Sequence, residues 1–202
     1  MEGKLLRVVL ASSNSGKRKE FQGMLANLNI EMLNQSDFNV SPIEETGLSF
    51  VENAILKARH AAKITGFPVI ADDSGLEVDA IGGQPGIYSA RYAGDQASDL
   101  ENNKKLIEKM EGTAPERRTA RFQCLLVFLR HERDATPIVC QGSWEGLILD
   151  EFRGGGGFGY DPLFFVPSEN CTSAELSPGK KNQLSHRAKA MEKLVRRLRI
   201  FC

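Results

Sequence analysis

The hydrophobic pattern of this chain opens as strand, helix, strand and closes with a pair of long strands and a final helix. Leu5 to Ala11 is an apolar, β-branched run ended by small polar residues, and reads as a strand. Phe21, Met24, Leu25 and Leu28 then recur at helical spacing. Ile30 to Leu33 predicts a second short strand, and 34–48 a loop. From Ser49 to Thr65 the stripe Phe50, Ala54, Ala58, Ala61 and Ala62 predicts a helix that packs closely on a sheet. Ser49 and Glu52 have capping-box spacing, and Gly66 and Pro68 supply the stop. Val69-Ile70-Ala71 reads as a short strand buried on both faces. Aspartate is depleted in strands, so Asp72-Asp73 marks its end and Ser74-Gly75 turns the chain.

Asp99 to Met110 carries a helical pattern, and Glu111 to Arg118 is a polar linker. Thr119–Arg130 and Pro137–Ile148 predict an antiparallel hairpin, Leu163–Val166 a further strand, and Ser185 onward a last helix through Met191, Leu194, Val195 and Leu198. A β/α half followed by a hairpin points to an α/β fold with a mixed, bent central sheet flanked by helices.

Composition narrows the function classes. The 202 residues are 41% hydrophobic and 26% charged, an ordinary globular balance. Lys plus Arg and Asp plus Glu are equal at 26 each, which argues against bulk attraction to nucleic acid or an anionic membrane. A local basic pocket for one phosphorylated small molecule remains open. Cys124, Cys140, Cys171 and Cys202 form no CxxC pair and no zinc spacing, and two of them sit in strand-like contexts as core thiols. The apolar run after Met1-Glu2-Gly3-Lys4 is too short for a signal segment or a membrane span, so a reducing cytoplasm is expected.

Four stretches carry candidate chemistry. Ser12-Ser13-Asn14-Ser15-Gly16-Lys17 joins a strand to a helix N-terminus, where unpaired N–H groups and the dipole favour an anion; the P-loop spacing is absent. Asp72-Asp73 at a strand end suits either a plain turn or a divalent metal with a base. Arg153 to Pro162 is a glycine loop in which Phe158 and Tyr160 bracket Gly159, as base stacking or as simple anchors. His186 and Arg187 lie in the first turn of the last helix, where cations are disfavoured unless an anion is bound. Asn53 and Lys57 share a face of the Ser49–Thr65 helix, and that face matters only if it borders the two aspartates. Tyr88 and Arg91 could clamp a flat ligand or pair in the core. Lys189, Lys193, Arg196, Arg197 and Arg199 read as a solvated face. An acidic metal site with basic phosphate contacts fits phosphoanhydride hydrolysis, and no Ser–His–Asp or Cys–His pattern stands out.

Ser12-Ser-Asn-Ser-Gly-Lys17, Glu45-Thr-Gly-x-x-Phe-x-Glu-Asn-Ala54, Lys57-Ala58, Ala71-Asp-Asp-Ser-Gly-Leu76, Gly86-x-Tyr-Ser-Ala-Arg91, Gly156-Gly-Phe-Gly-Tyr-Asp-Pro162 and Ser185-His-Arg187 occur in that order. Together they resemble the inosine/xanthosine triphosphate pyrophosphatase family over nearly the whole chain. The resemblance implies a single domain over 1–202 of two lobes with an active-site cleft, a homodimer, Mg2+ dependence, and hydrolysis of ITP, dITP and XTP to monophosphate and pyrophosphate. It implies no stable nucleic-acid or membrane partner. It assigns Ser12, Ser13, Asn14, Ser15, Gly16 and Lys17 to the triphosphate, with Lys57 offsetting charge, and Asp73 as proton acceptor and metal ligand. Ser74, Phe158, Gly159, Tyr160, Asp161, Lys181, His186 and Arg187 would bind nucleotide. Glu44 or Glu45, with Asp72 as less certain support, would complete the metal site. Gly155 and Ser13 depart from the family pattern, which has Thr and Gly there. Two other readings stand beside it: a related pyrophosphatase with another base preference, and a nucleotide-binding module without turnover.

Overall fold

The computed structural model describes residues 5–25 and 29–198. Met1 to Lys4, Leu28, Arg199 and Cys202 lie outside the described residues. Among the described residues there are seven strands: β1 (Leu6–Ala11), β2 (Ile30–Asn34), β3 (Val69–Val78), β4 (Thr119–Leu129), β5 (Ile138–Ile148), β6 (Phe164–Val166) and β7 (Cys171–Thr172). They pair in the order β2-β1-β3-β4-β5-β6-β7. The helices are α1 (Ser15–Leu25), α2 (Phe50–Thr65), α3 (Asp99–Lys109), α4 (Pro178–Leu184) and α5 (His186–Leu198).

The sheet is mixed, as the pattern predicts. β1 runs parallel to β2 and β3, while β6 is antiparallel to β5 and β7. Along β4 and β5, Arg118–Ile148, Arg121–Glu145 and Gln123–Ser143 fall in descending register, which makes that pair antiparallel. At Gly146 an added Cβ would lie 2.5 Å from Phe165 O and 2.6 Å from the Phe164 ring, so only glycine lets β6 pair there.

The chain divides into two compact units. Unit 1 runs to Asp73 and adds Cys124–Gly142 and the chain from Arg187 on; unit 2 is Ser74–Gln123 with Ser143–His186. In unit 1, alternation along the strands builds a core on each face. Val9, Ala11, Val69, Ala71, Val127 and Leu129 pack with the alanines of α2. Val8, Leu10, Ile70, Cys124, Leu126 and Phe128 pack with Phe21 and Leu25 of α1 and with Met191 and Leu194 of α5. Full burial of side chains of this kind contributes roughly 1.5–3 kcal/mol each. The core of unit 2 gathers Leu76, Val78, Leu106, Met110, Phe122, Trp144, Phe164 and Val166.

The predicted α2 matches closely. Ser49 Oγ accepts the Glu52 N–H at its start, and Gly66 closes it with φ 69°. Two expectations are corrected. β3 does not end at Asp72; it continues through Asp72, Asp73, Ser74 and Gly75 to Val78, so no turn forms there. Compensation of both carboxylates by distant cations, described below, overrides the low strand propensity of aspartate. The last helix is also preceded by α4, which the apolar pattern does not show. Ser177 caps α4 by accepting the Lys180 N–H, and Pro178 occupies its first turn. The Ser185 N–H bonds to Lys181 O at its end.

Candidate active site

Because side chains alternate along β3, Asp72 and Asp73 leave opposite faces of the sheet. Asp72 follows Ile70 toward α1 and α5; Asp73 follows Val69 and Ala71 toward α2. Two adjacent aspartates therefore live in different environments within unit 1.

Asp72 is fully buried among cations. Its Oδ1 meets Lys17 Nζ, and its Oδ2 lies 3.3 Å from Arg187 Nε and accepts the Cys124 thiol at 3.0 Å. Burial pushes this carboxyl up, but Lys17 and Arg187 outweigh it and hold Asp72 well below the ordinary carboxylate range. Arg187 also pairs with Glu20 of α1. The cation at the start of α5, unfavourable in isolation, thus finds its anions in Asp72 and Glu20. Burial and the neighbouring Asp72 raise the Cys124 thiol well above its usual value, so it stays a donor.

Asp73 faces α2. Its Oδ1 accepts from Lys57 Nζ at 2.7 Å, and the same ammonium lies 2.9 Å from Glu45 Oε1. Asp73 Oδ2 is buried with no hydrogen-bond partner among the described residues. Burial raises the Asp73 carboxyl above its ordinary value, against the pull of Lys57 and Lys17. Desolvation lowers Lys57, but Asp73 and Glu45 outweigh it and keep the ammonium charged. The condition set by the sequence is met: the Asn53–Lys57 face of α2 does border the acidic strand. Glu45 is partly buried in this group, whereas Glu44 is exposed.

At the start of α1, Asn14 Oδ1 accepts the Lys17 N–H at 2.9 Å, and Ser12 Oγ accepts the Asn14 N–H at 3.3 Å. Ser13 and Ser15 are exposed there. Ser13 is not among the positive-φ residues, so glycine is not required at that position. An 11-residue helix start with hydroxyls beside Lys17 suits an anion.

Unit 2 organises the aromatic glycine loop. Asp161 Oδ2 accepts the Phe158 N–H at 2.9 Å and pairs with Lys181 Nζ at 2.6 Å, while Oδ1 accepts from Ser173 Oγ at 2.8 Å. A Cβ on Gly157 would fall 2.0 Å from Asp161 Oδ2, so the loop needs glycine there. Lys181 Nζ sits 4.8 Å from the Phe158 ring centroid. The Gly159 N–H donates to Asp99 Oδ2 at 2.6 Å, and Gly159 O accepts from Asn103 Nδ2 at 2.8 Å. Tyr160 Oη donates to Ser89 O at 2.9 Å. The His186 ring stacks on Phe122 with centroids 4.9 Å apart. Ser74 is partly buried at the start of this unit. Gly155 has open space where a Cβ would be, so its departure from the family pattern changes chain freedom and not packing. Arg91 packs over the Tyr88 ring at 5.3 Å, but Tyr88 is 53% exposed, so the two pair at the surface and not in the core.

Sequence reasoning missed Glu20, Cys124, Asp99, Asn103 and Ser173. Each acts through a partner far along the chain or through a backbone group, and neither leaves a local pattern.

A mixed sheet, a helix start lined with hydroxyls and an acidic strand flanked by lysines define an α/β protein with the parts for handling a polyanion. The chain belongs to the Ham1 family, whose model matches residues 8–197. A dITP/XTP pyrophosphatase of Vibrio parahaemolyticus is 60% identical over 192 residues, 95% of this chain and 96% of that one. The dITP/XTP pyrophosphatase of Escherichia coli strain K12 is 55% identical over 193 residues, covering 96% and 98%. The solved structure of a HAM1 protein from Coxiella burnetii superposes with a TM-score of 0.89 at 50% identity, covering 96% and 98%. The resemblance carried by the ordered motifs holds at the level of the family.

Proposed function

We propose that this protein hydrolyses the noncanonical purine triphosphates ITP, dITP and XTP to the monophosphate and pyrophosphate, clearing deaminated purines from the nucleotide pool. One observation carries the reading beyond the family likeness. Asp73 is buried, with one oxygen on Lys57 and the other without a partner among the described residues, and Lys57 also holds Glu45. A buried carboxylate with an idle oxygen and a raised pKa is a base held in readiness. The relatives named above are dITP/XTP pyrophosphatases, which supports the substrate class.

The donor set fits Mg2+. No group of three or more His, Cys, Asp or Glu suited to a metal occurs among the described residues. Mg2+ needs no such cage; it is held by one or two carboxylates, with phosphate and water completing its shell. Asp73 and Glu45 are hard oxygen donors on a common lysine and would hold it. Both Asp72 oxygens are engaged by Lys17, Arg187 and Cys124, so Asp72 serves to hold those cations. Bound Mg2+ would polarise a phosphate oxygen. Asp73 Oδ2 accepts the proton of the attacking water. Lys57 and Lys17 offset negative charge as the phosphoanhydride breaks, and the hydroxyls and N–H groups from Ser12 to Gly16 orient the chain of phosphates. Phe158 offers a face to the base, Asp161 and Lys181 hold that loop, and Ser74, Gly159, Tyr160, His186 and Arg187 are carried over as nucleotide contacts.

The same reading includes one ITPase-like domain of two lobes, a homodimer and a cytoplasmic setting. Among the described residues no helix is long and apolar enough to cross a membrane. The balanced charge supports the expectation of no stable nucleic-acid partner.

Asp73→Asn keeps the shape and removes the base. Pyrophosphate release from ITP should fall by about 10²–10⁴-fold with an unchanged circular dichroism spectrum. Near-normal turnover in the folded variant contradicts the assignment.

A further inference from the structure

We infer that Asn53 is a positioning residue for Glu45, acting through the backbone of Gly47; this rests on the reading of Glu45 as a Mg2+ ligand. Asn53 is fully buried at the start of α2. Its Oδ1 accepts the Gly47 N–H at 2.8 Å, across six residues of chain. Its Nδ2 has no hydrogen-bond partner among the described residues. An idle buried donor is unfavourable, so the working half of this amide is the acceptor that grips the loop. Nothing about helix capping needs it, since Ser49 already accepts the Glu52 N–H.

Gly47 shows how tightly the loop is held. A Cβ there would lie 2.6 Å from Glu52 Cβ and 2.7 Å from Asn53 Oδ1. Glu52 Cβ is fixed to the helix and the Asn53 backbone N lies 3.0 Å away, so any larger residue displaces the loop from α2. Glu45 stands two residues before Gly47, and its carboxylate reaches Lys57, one turn after Asn53 on the same helix. α2 thus fixes Glu45 twice, by backbone through Asn53 and by side chain through Lys57. Lys57 in turn bonds Asp73 at 2.7 Å. The Asn53–Gly47 bond therefore sets the distance between the two candidate ligands before any ion arrives. Groups that orient a ligand in this way typically change metal affinity by about 10–100-fold.

Binding of Mg2+ alone, followed by isothermal titration calorimetry, tests this on the full chain, with circular dichroism confirming the fold. Asn53→Ala and Gly47→Ala should each weaken Mg2+ by about 10-fold or more, while Glu45→Gln loses it. Gly47→Ala removes no side chain from α2, so it carries the test if Asn53→Ala fails to fold. If both variants lose thermal stability but bind Mg2+ within about twofold of the parent, the role is structural only and the inference is overturned. If Glu45→Gln binds Mg2+ like the parent, the reading of Glu45 as a ligand falls instead.

Discussion

Replacing Asp72 by Asn removes a buried charge that Lys17 and Arg187 share in unit 1. Its side chain is 0% exposed, and that of Arg187 is 2% exposed. Deleting one partner of a buried pair costs about 3–5 kcal/mol, because the remaining charge stays buried without compensation. Glu20 still neutralises Arg187, so the lower end applies. A loss of ~3 kcal/mol lowers Tm by roughly 6–12 °C in a chain of this size. Urea and thermal unfolding at pH 7 measure it. The pH dependence supplies a second arm. Lys17 and Arg187 outweigh burial and depress the native Asp72 carboxyl below its unfolded value. Its contribution is therefore complete above the ordinary carboxylate value of about 4 and is lost as pH falls below it toward the depressed native value. The parent should lose stability there faster than Asp72→Asn, and the two curves should converge. A loss under about 1 kcal/mol at pH 7, or curves that stay parallel in acid, contradicts a charged, paired Asp72 in the native state.

Burial raises the Asp73 carboxyl in the metal-free protein, so its titration followed by NMR without Mg2+ should lie above the free-aspartate value of about 3.9; a value at or below that contradicts the burial of this group. Phe158→Ala removes a stacking face worth about 1–3 kcal/mol per base, so KM for ITP should rise roughly 5–150-fold with kcat changed less; an effect confined to kcat contradicts a role in base binding. Burial and Asp72 hold the Cys124 thiol protonated, and Cys140 is also buried, so both should resist a thiol reagent until the protein unfolds. Rapid modification of Cys124 in the native state contradicts the placement.

Periodicity was a good guide where burial is one-sided. The alanine stripe of α2 places the helix against the sheet, and its capping signals set both ends. The same spacing put Lys57 on the face that meets Asp73. It failed where long-range charge pairing decides the outcome. Asp72 and Asp73 stay in a strand because Lys17, Lys57 and Arg187 compensate them, and Arg187 lies 115 residues away. Local propensity has no access to such partners. The conflict of Arg187 with the α5 dipole was a legible clue: the missing anion is supplied by Asp72 and Glu20. Ser177 and Pro178 carried the start signal of α4, but at seven residues that helix is too short to show a period.

The proposed reaction is the cleavage of noncanonical purine triphosphates between the α and β phosphates, with Mg2+ and Asp73. The most direct measurement is pyrophosphate release over ITP, dITP, XTP, ATP, GTP and dTTP, with and without Mg2+. Release from ITP, dITP and XTP, weak release from the other three, and loss of all turnover when Mg2+ is withheld are the expected results. Preferred release from dTTP, orthophosphate as the product, or no turnover of any nucleotide contradicts the proposed reaction.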